Sequence, residues 1–259
     1  KKASTGKGIS FDDETGNYIR TQQIGQILKE AGKVDVLAFD ACLMQMAEVA
    51  YEVKDYTEVI VGSQEVVPGY GYPYSLFLGA MAKNPNLTTE ETGAMMVEAF
   101  KMFYDAVKKS AQLSAIRSSK LGDLATKLSE FGKLAKEAGD AQALTAARNG
   151  VIRYDIVGAK IDPAMTISFF GDLSQYAALL AANAKQADDK TAALKAKAAA
   201  LQDFIAKELV INNKASGKNR LGRDLSESGG QGPFGKRGTL HIPAACRNQG
   251  SAGEAGRHL

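Results

Sequence analysis

Tryptophan is absent from the 259 residues, and cysteine and histidine occur only twice each. So few cysteines exclude a disulfide scaffold, because Cys42 and Cys246 stand far apart in unlike surroundings. Together with His241 and His258 they never fall at ligand spacing, so a zinc-type centre has no support. No apolar run of about 18 residues occurs, so no segment reads as a membrane-spanning helix. The opening KKASTGKGIS likewise lacks the apolar core of a signal peptide. Net charge is small too. Dispersed basic residues, 32 against 29 acidic ones, leave +3 and no footprint for nucleic acid.

What the chain does contain is enough apolar material for a core, at 45% hydrophobic residues. Thr21 is placed to cap a helix running to Ala31, with Ile24, Ile27 and Leu28 on one face and Gly32 as its stop. Val34 to Asp40 reads as a strand, being a short run rich in strand formers. The residues from Leu43 onward put Leu43, Met46, Ala47 and Ala50 on a helical stripe, and Thr57 to Ser63 reads as a second strand. Strand, helix and strand joined by short connections make a βαβ unit, hence a parallel pair with a right-handed crossover. The aromatic, Gly- and Pro-punctuated loop from Gln64 to Tyr74 follows. Thr88 and Glu91 then have capping-box spacing at the head of a long helix expected to end near Lys109.

Leu113 to Arg117 is a short strand-like piece. After it Leu121, Leu124, Leu128, Phe131 and Leu134 recur at helical spacing, and the chain reads largely helical to about Leu209, with a break at Ile161 to Ser168. The Ala- and Lys-rich stretch from Ala187 to Ala200 is helical on propensity alone. Beyond Asn212 the glycine-rich, polar composition reads as loop or disorder, apart from one strand candidate near Thr239 to Pro243. The expected organisation is therefore a core over 1–112, a mostly helical region over 113–212, and a glycine-rich segment over 213–259 with a final strand at 238–243.

The chemistry concentrates in VDVLAFDACLM. The strand delivers Asp40, Ala41 and Cys42 to its C-terminal end, where ligands and catalytic groups gather in open α/β sheets. A helix starting at once would aim its N–H groups and positive dipole end at Cys42, favouring thiolate and offering oxyanion donors. The competing reading of a lone cysteine in that place is simple burial in the core.

The run FDACLM (Phe39 to Met44), followed by Glu48, Tyr51, VIVGSQE (Val59 to Glu65) and PGYGYPY (Pro68 to Tyr74), resembles the clostripain family of cysteine peptidases. The resemblance covers Ile9 to Arg117, and Gly238 to Pro243 is similar to a family strand. It implies a caspase-like α/β fold: a mostly parallel sheet flanked by helices, here without its first strands, followed by a helix-rich C-terminal region. It implies endopeptidase cleavage after Arg or Lys through a Cys–His dyad, with Cys42 as nucleophile. The family histidine lies in a His-Gly motif upstream of the cysteine. No histidine precedes Cys42, and His241 reads as a structural strand residue. The implied partner, besides protein or peptide substrates, is thus an upstream light chain or segment bearing that histidine. A start at Lys1 and Lys2 fits either a maturation cut beside basic residues or a truncation.

By the same resemblance Asp40 belongs to the acidic S1 pocket for a basic P1 side chain. The alternative is that Asp40 caps the following helix. Ser63, Glu65 and Tyr70 come from the neighbouring loop as further S1 candidates, and Tyr70 and Tyr72 either line the pocket or pack on the sheet end. Where some relatives carry an acidic residue, this chain has Tyr70. No cofactor is implied except calcium, used by some family members. Asp12, Asp13 and Glu14 could serve it, yet they fit no EF-hand and equally read as a solvated loop. The family implies an extracellular, periplasmic or cell-surface location in bacteria. A family fold that has lost its dyad and acts only by binding is the alternative function.

Overall fold

The computed structural model describes residues 8–10, 12–154 and 170–218, and a four-stranded sheet that begins at Val34 organises it. Two short strands, β1 (Gly8–Ile9) and β2 (Ile19–Arg20), pair antiparallel ahead of it. Helix α1 (Thr21–Ala31) follows, and Thr21 is its first residue rather than its cap. The exposed end is closed instead by the Arg20 N–H donating to Gln23 Oε1 at 2.8 Å. Ile24 and Leu28 are buried as the spacing predicts, but Ile27 faces outward.

Strand β3 (Val34–Ala38) leads to α2 (Ala47–Val53), and β4 (Thr57–Gly62) pairs parallel with β3 through Val36↔Val59 and Ala38↔Val61. Helices α3 (Tyr74–Lys83) and α4 (Thr89–Ala106) come next. Strand β5 (Ala111–Arg117) then runs antiparallel to β4. A helical stretch follows: α5 (Leu121–Ala138), α6 (Ala141–Gly150), the paired β6 (Arg153–Tyr154) and β7 (Phe170–Gly171), α7 (Leu173–Asn183) and α8 (Asp189–Phe204). A π-helical turn at Ile205–Leu209 feeds β8 (Val210–Ser216), which pairs antiparallel with β5.

The main sheet therefore runs β3-β4-β5-β8. Among the described residues one of its three pairings is parallel, so the mostly parallel sheet expected from the sequence is corrected to a mixed one. The reason is connectivity. The α3–α4 excursion returns the chain to the end at which β4 leaves the sheet, so β5 starts beside Gly62, which pairs with Ser114, and runs back antiparallel. The segment after Asn212 is also corrected: residues through Ser216 form an edge strand, because β5 supplies backbone partners that composition cannot reveal. The helices α5 to α8 are thus inserted between two strands of the sheet to which Cys42 belongs. The expected break at 161–168 and the strand at 238–243 lie outside the described residues.

Alternation along the strands separates two cores. Val59, Val61, Leu113, Ala115 and Ile211 meet α3 and α4, whereas Ile60, Ile116 and Val210 meet the layer of α1, α2 and α5 to α8. Leu121, Leu124 and Phe131 of α5 are buried in that second layer, with Leu128 and Leu134 packed against it. Helix α4 lies close to the sheet because Gly93 has no side chain: a Cβ there would stand 2.7 Å from Val59 Cγ1.

The capping box at α4 forms as its spacing predicts. Thr88 Oγ1 accepts from the Glu91 N–H, and Glu91 Oε2 accepts from the Thr88 N–H at 2.9 Å. Those bonds, first the one from the Thr88 backbone, hold the Glu91 carboxyl below its ordinary 4.5. Its contribution to the helix is full above that value and fades as the pH falls through the lowered one. Thr88→Ala should lower stability by about 1 kcal/mol at neutral pH, measured by denaturant unfolding, and by less in acid.

Candidate active site

Two loops emerge side by side from the C-terminal ends of the parallel pair, residues 39–46 after β3 and 63–73 after β4. They are laced together beyond the strand ends. Phe39 N–H donates to Val61 O at 2.9 Å, Leu43 N–H to Glu65 O at 3.4 Å, and Gln45 N–H to Ser63 O at 3.0 Å. The buried Gln45 side chain adds two more bonds, its Nε2 donating to Ile60 O and Ser114 O at 3.3 Å each. It ties the first loop across two strands of the sheet.

Cys42 is a free, half-buried thiol on the first loop, with Sγ 3.9 Å from Val67 O across the cleft between the loops. The sequence places a helix directly behind it, and here the structure corrects the expectation. Leu43 takes a left-handed φ of 61°, Met46 is extended, and α2 starts only at Ala47. A left-handed leucine costs about 1–2 kcal/mol, and it turns the chain sharply just after the cysteine. The N-terminus of α2 therefore does not begin directly behind Cys42. Its own backbone N–H has no acceptor among the described residues, so it is open to receive one.

Asp40 does not cap a helix either. Its exposed carboxylate reaches across to the second loop, where Oδ2 accepts from the Tyr72 N–H at 3.1 Å and from Tyr74 Oη at 3.0 Å. Gly71 makes that approach possible. It sits at φ 63°, and a Cβ on it would lie 2.8 Å from Asp40 Oδ2. The same loop is braced from behind. Tyr72 Oη donates to Phe39 O at 2.8 Å, and its ring meets Phe100 edge-on at 5.6 Å. Tyr104 Oη donates to Gly71 O at 2.9 Å. Burial first, then the charge of Asp40, pushes the Tyr104 phenol up to about 12, so it remains a donor at any physiological pH.

The other sequence-derived candidates fall at different depths. Ser63 is fully buried and its hydroxyl donates to Glu65 O at 2.8 Å, so it shapes the loop from inside and offers no surface to a substrate. Glu65 is buried as well, with Oε1 accepting from the Val66 N–H at 2.7 Å. Tyr70 is 62% exposed and leans on Phe103 at 6.0 Å, on the α4 side. Asp12 spends its oxygens on the turn that follows it, accepting from the Glu14 N–H and the Thr15 hydroxyl. Tyr74, Gln45 and Gly71 carry roles at the site that sequence reasoning did not assign. Only the glycine between two aromatic residues left a signal, as a point of close approach. His241, His258 and Cys246 lie outside the described residues.

Known proteins resemble this chain in sequence and in fold. A protein-family profile described as the Clostripain family matches residues 1–212. Clostripain from Hathewaya histolytica is 35% identical over 101 residues, which is 29% of this chain and 19% of that relative's length. A clostripain from Bacteroides thetaiotaomicron, solved with the peptide inhibitor BTN-VLTK-AOMK, superposes with a TM-score of 0.56 at 18% identity. That match covers 90% of this chain and 92% of the other. A B. fragilis cysteine protease gives 0.55 at 17% identity, covering 85% and 86%. A secreted C11 cysteine protease from B. thetaiotaomicron, bound to an irreversible peptide inhibitor, gives 0.56 at 19%, covering 87% and 60%. At such identities the structures testify to a common α/β fold. The family itself rests on the sequence match, which runs through residues 1–212 of 259. This chain belongs to the clostripain family of cysteine peptidases.

Proposed function

We propose that the chain is the cysteine-bearing part of an endopeptidase that cleaves after Arg or Lys, with Cys42 as nucleophile and Asp40 as the S1 carboxylate. The observation that carries this reading is the placement of both residues on one strand-end loop, with the Asp40 carboxylate held toward the second loop by Tyr72 and Tyr74. A nucleophile two residues from an anchored anion suits a substrate whose scissile carbonyl follows a cationic side chain. Clostripain as a relative supports the same reading, as does the neighbour that holds a peptide inhibitor written VLTK.

The chemistry needs a base, and the described residues contain no histidine. We assign it to a histidine on an upstream segment of the complete protein. That imidazole takes the Cys42 proton, and the thiolate attacks the scissile carbonyl carbon. The Cys42 N–H is available to bind the resulting oxyanion. The protonated imidazole then gives its proton to the leaving amine, leaving a thioester that water hydrolyses. The left-handed turn at Leu43 follows directly on this thiol and N–H. Among the described residues no helix is long and apolar enough to cross a membrane. We place the protein outside the cytoplasm of a bacterium, in line with the secreted neighbour.

Two outcomes test this function. Cys42→Ala in the complete protein should bring peptide cleavage to background with binding of basic peptides retained, read by progress curves and by fluorescence anisotropy. Turnover that survives would remove Cys42 from the mechanism. Asp40→Asn should lower kcat/KM for Arg and Lys substrates by roughly 30-fold, about 2 kcal/mol, and leave neutral P1 substrates almost unchanged. An equal loss on all substrates would make Asp40 a brace for the loop instead.

A further inference from the structure

The Asp40 carboxylate is asymmetric. Both of its contacts, one from the second loop and one from the start of α3, fall on one oxygen: Oδ2 accepts from the Tyr72 N–H at 3.1 Å and from the Tyr74 hydroxyl at 3.0 Å. Two donors occupy the two lone pairs of Oδ2, while Oδ1 has no partner among the described residues. Tyr74 is well placed to persist as a donor. Partial burial first, and then its bond to Asp40, raise the phenol above its ordinary value of 10.0. Its ring is fixed against Phe77 at 5.2 Å and Tyr72 at 6.2 Å, although about half of the residue is exposed to solvent.

This asymmetry bears differently on the two basic side chains. A guanidinium is a planar fork that gains most when it bonds both oxygens of one carboxylate. An ammonium is a point charge that is satisfied by a single oxygen, with its remaining protons turned to water or carbonyls. On the reading of Asp40 as the S1 carboxylate, we propose that Tyr74 is a specificity-determining residue that withholds Oδ2 and so biases the pocket toward lysine over arginine at P1. Tyr72 alone cannot do this, because its N–H leaves one lone pair of Oδ2 open.

The test uses the complete protein and peptides identical except for Lys, Arg or norleucine at P1. Tyr74→Phe removes the hydroxyl and keeps the ring contacts, so the fold and the neighbouring aromatic packing are preserved. We expect kcat/KM for Arg relative to Lys to rise about tenfold in Tyr74→Phe, mainly through a lower KM for the Arg peptide, with each value read against the norleucine peptide in the same variant. Asp40→Asn, run beside it, should abolish the preference of either cation over norleucine. If Tyr74→Phe leaves the Arg-to-Lys ratio where it was while Asp40→Asn removes the cation preference, the role of Tyr74 is overturned and the S1 reading stands. If Asp40→Asn leaves the cation preference intact, the S1 reading fails and takes this proposal with it.

Discussion

The pairing of β3 with β4 does not stop where the strands do. Backbone bonds from Phe39, Leu43 and Gln45 to Val61, Glu65 and Ser63 carry it into the two loops, so the residues that carry chemistry inherit the rigidity of the sheet. Loops are ordinarily the mobile part of an α/β fold. Here the first loop cannot shift without breaking bonds to the second, and the second is fastened to α4 through Tyr72 and Tyr104. Leu43 holds a left-handed conformation while its own N–H and that of Gln45 are bonded to the second loop, and those bonds offset the strain.

Behind the loops lies a layer of buried polar side chains that an apolar core would not need. Gln112 accepts from the Gln64 N–H at 2.7 Å and donates to Asn213 Oδ1 at 2.7 Å, tying the second loop to β5 and β8. Asn212 donates to Ala94 O at 3.1 Å, joining the edge strand to α4. Buried amides of this kind contribute little net stability, but they are costly to leave unpaired, and so they specify one arrangement of strands and helix over others. The sheet end is therefore held in place by directional bonds, while hydrophobic packing on both faces supplies most of the folding free energy.

Most of the elements near the site were legible because their signals are local. Ile24 and Leu28 on α1, the apolar run of β3, the capping pair Thr88 and Glu91, and the leucine stripe of α5 each follow from spacing and side-chain chemistry. Two local readings misled. A helical stripe from Leu43 matched the hydrophobic spacing, yet the chain turns left-handed at Leu43 and the helix waits until Ala47. The polar composition after Asn212 read as loop, yet β5 offers a full edge of backbone partners and Val210–Ser216 takes it. Pairing across a hundred residues leaves no trace in a window of ten.

The sequence by itself determined the family, whose profile matches residues 1–212, and with it an α/β fold. It also determined the amphipathic helices, since their periodicity is a property of consecutive residues. Only the tertiary structure decided that the sheet is mixed, that Ser63 and Glu65 turn inward, and that Asp40 is shared between Tyr72 and Tyr74. The physical reason is the same in each case. These outcomes depend on which donors and acceptors meet across loops distant in sequence, and a hydrogen bond is directional enough that its partner is settled only when both segments are in place.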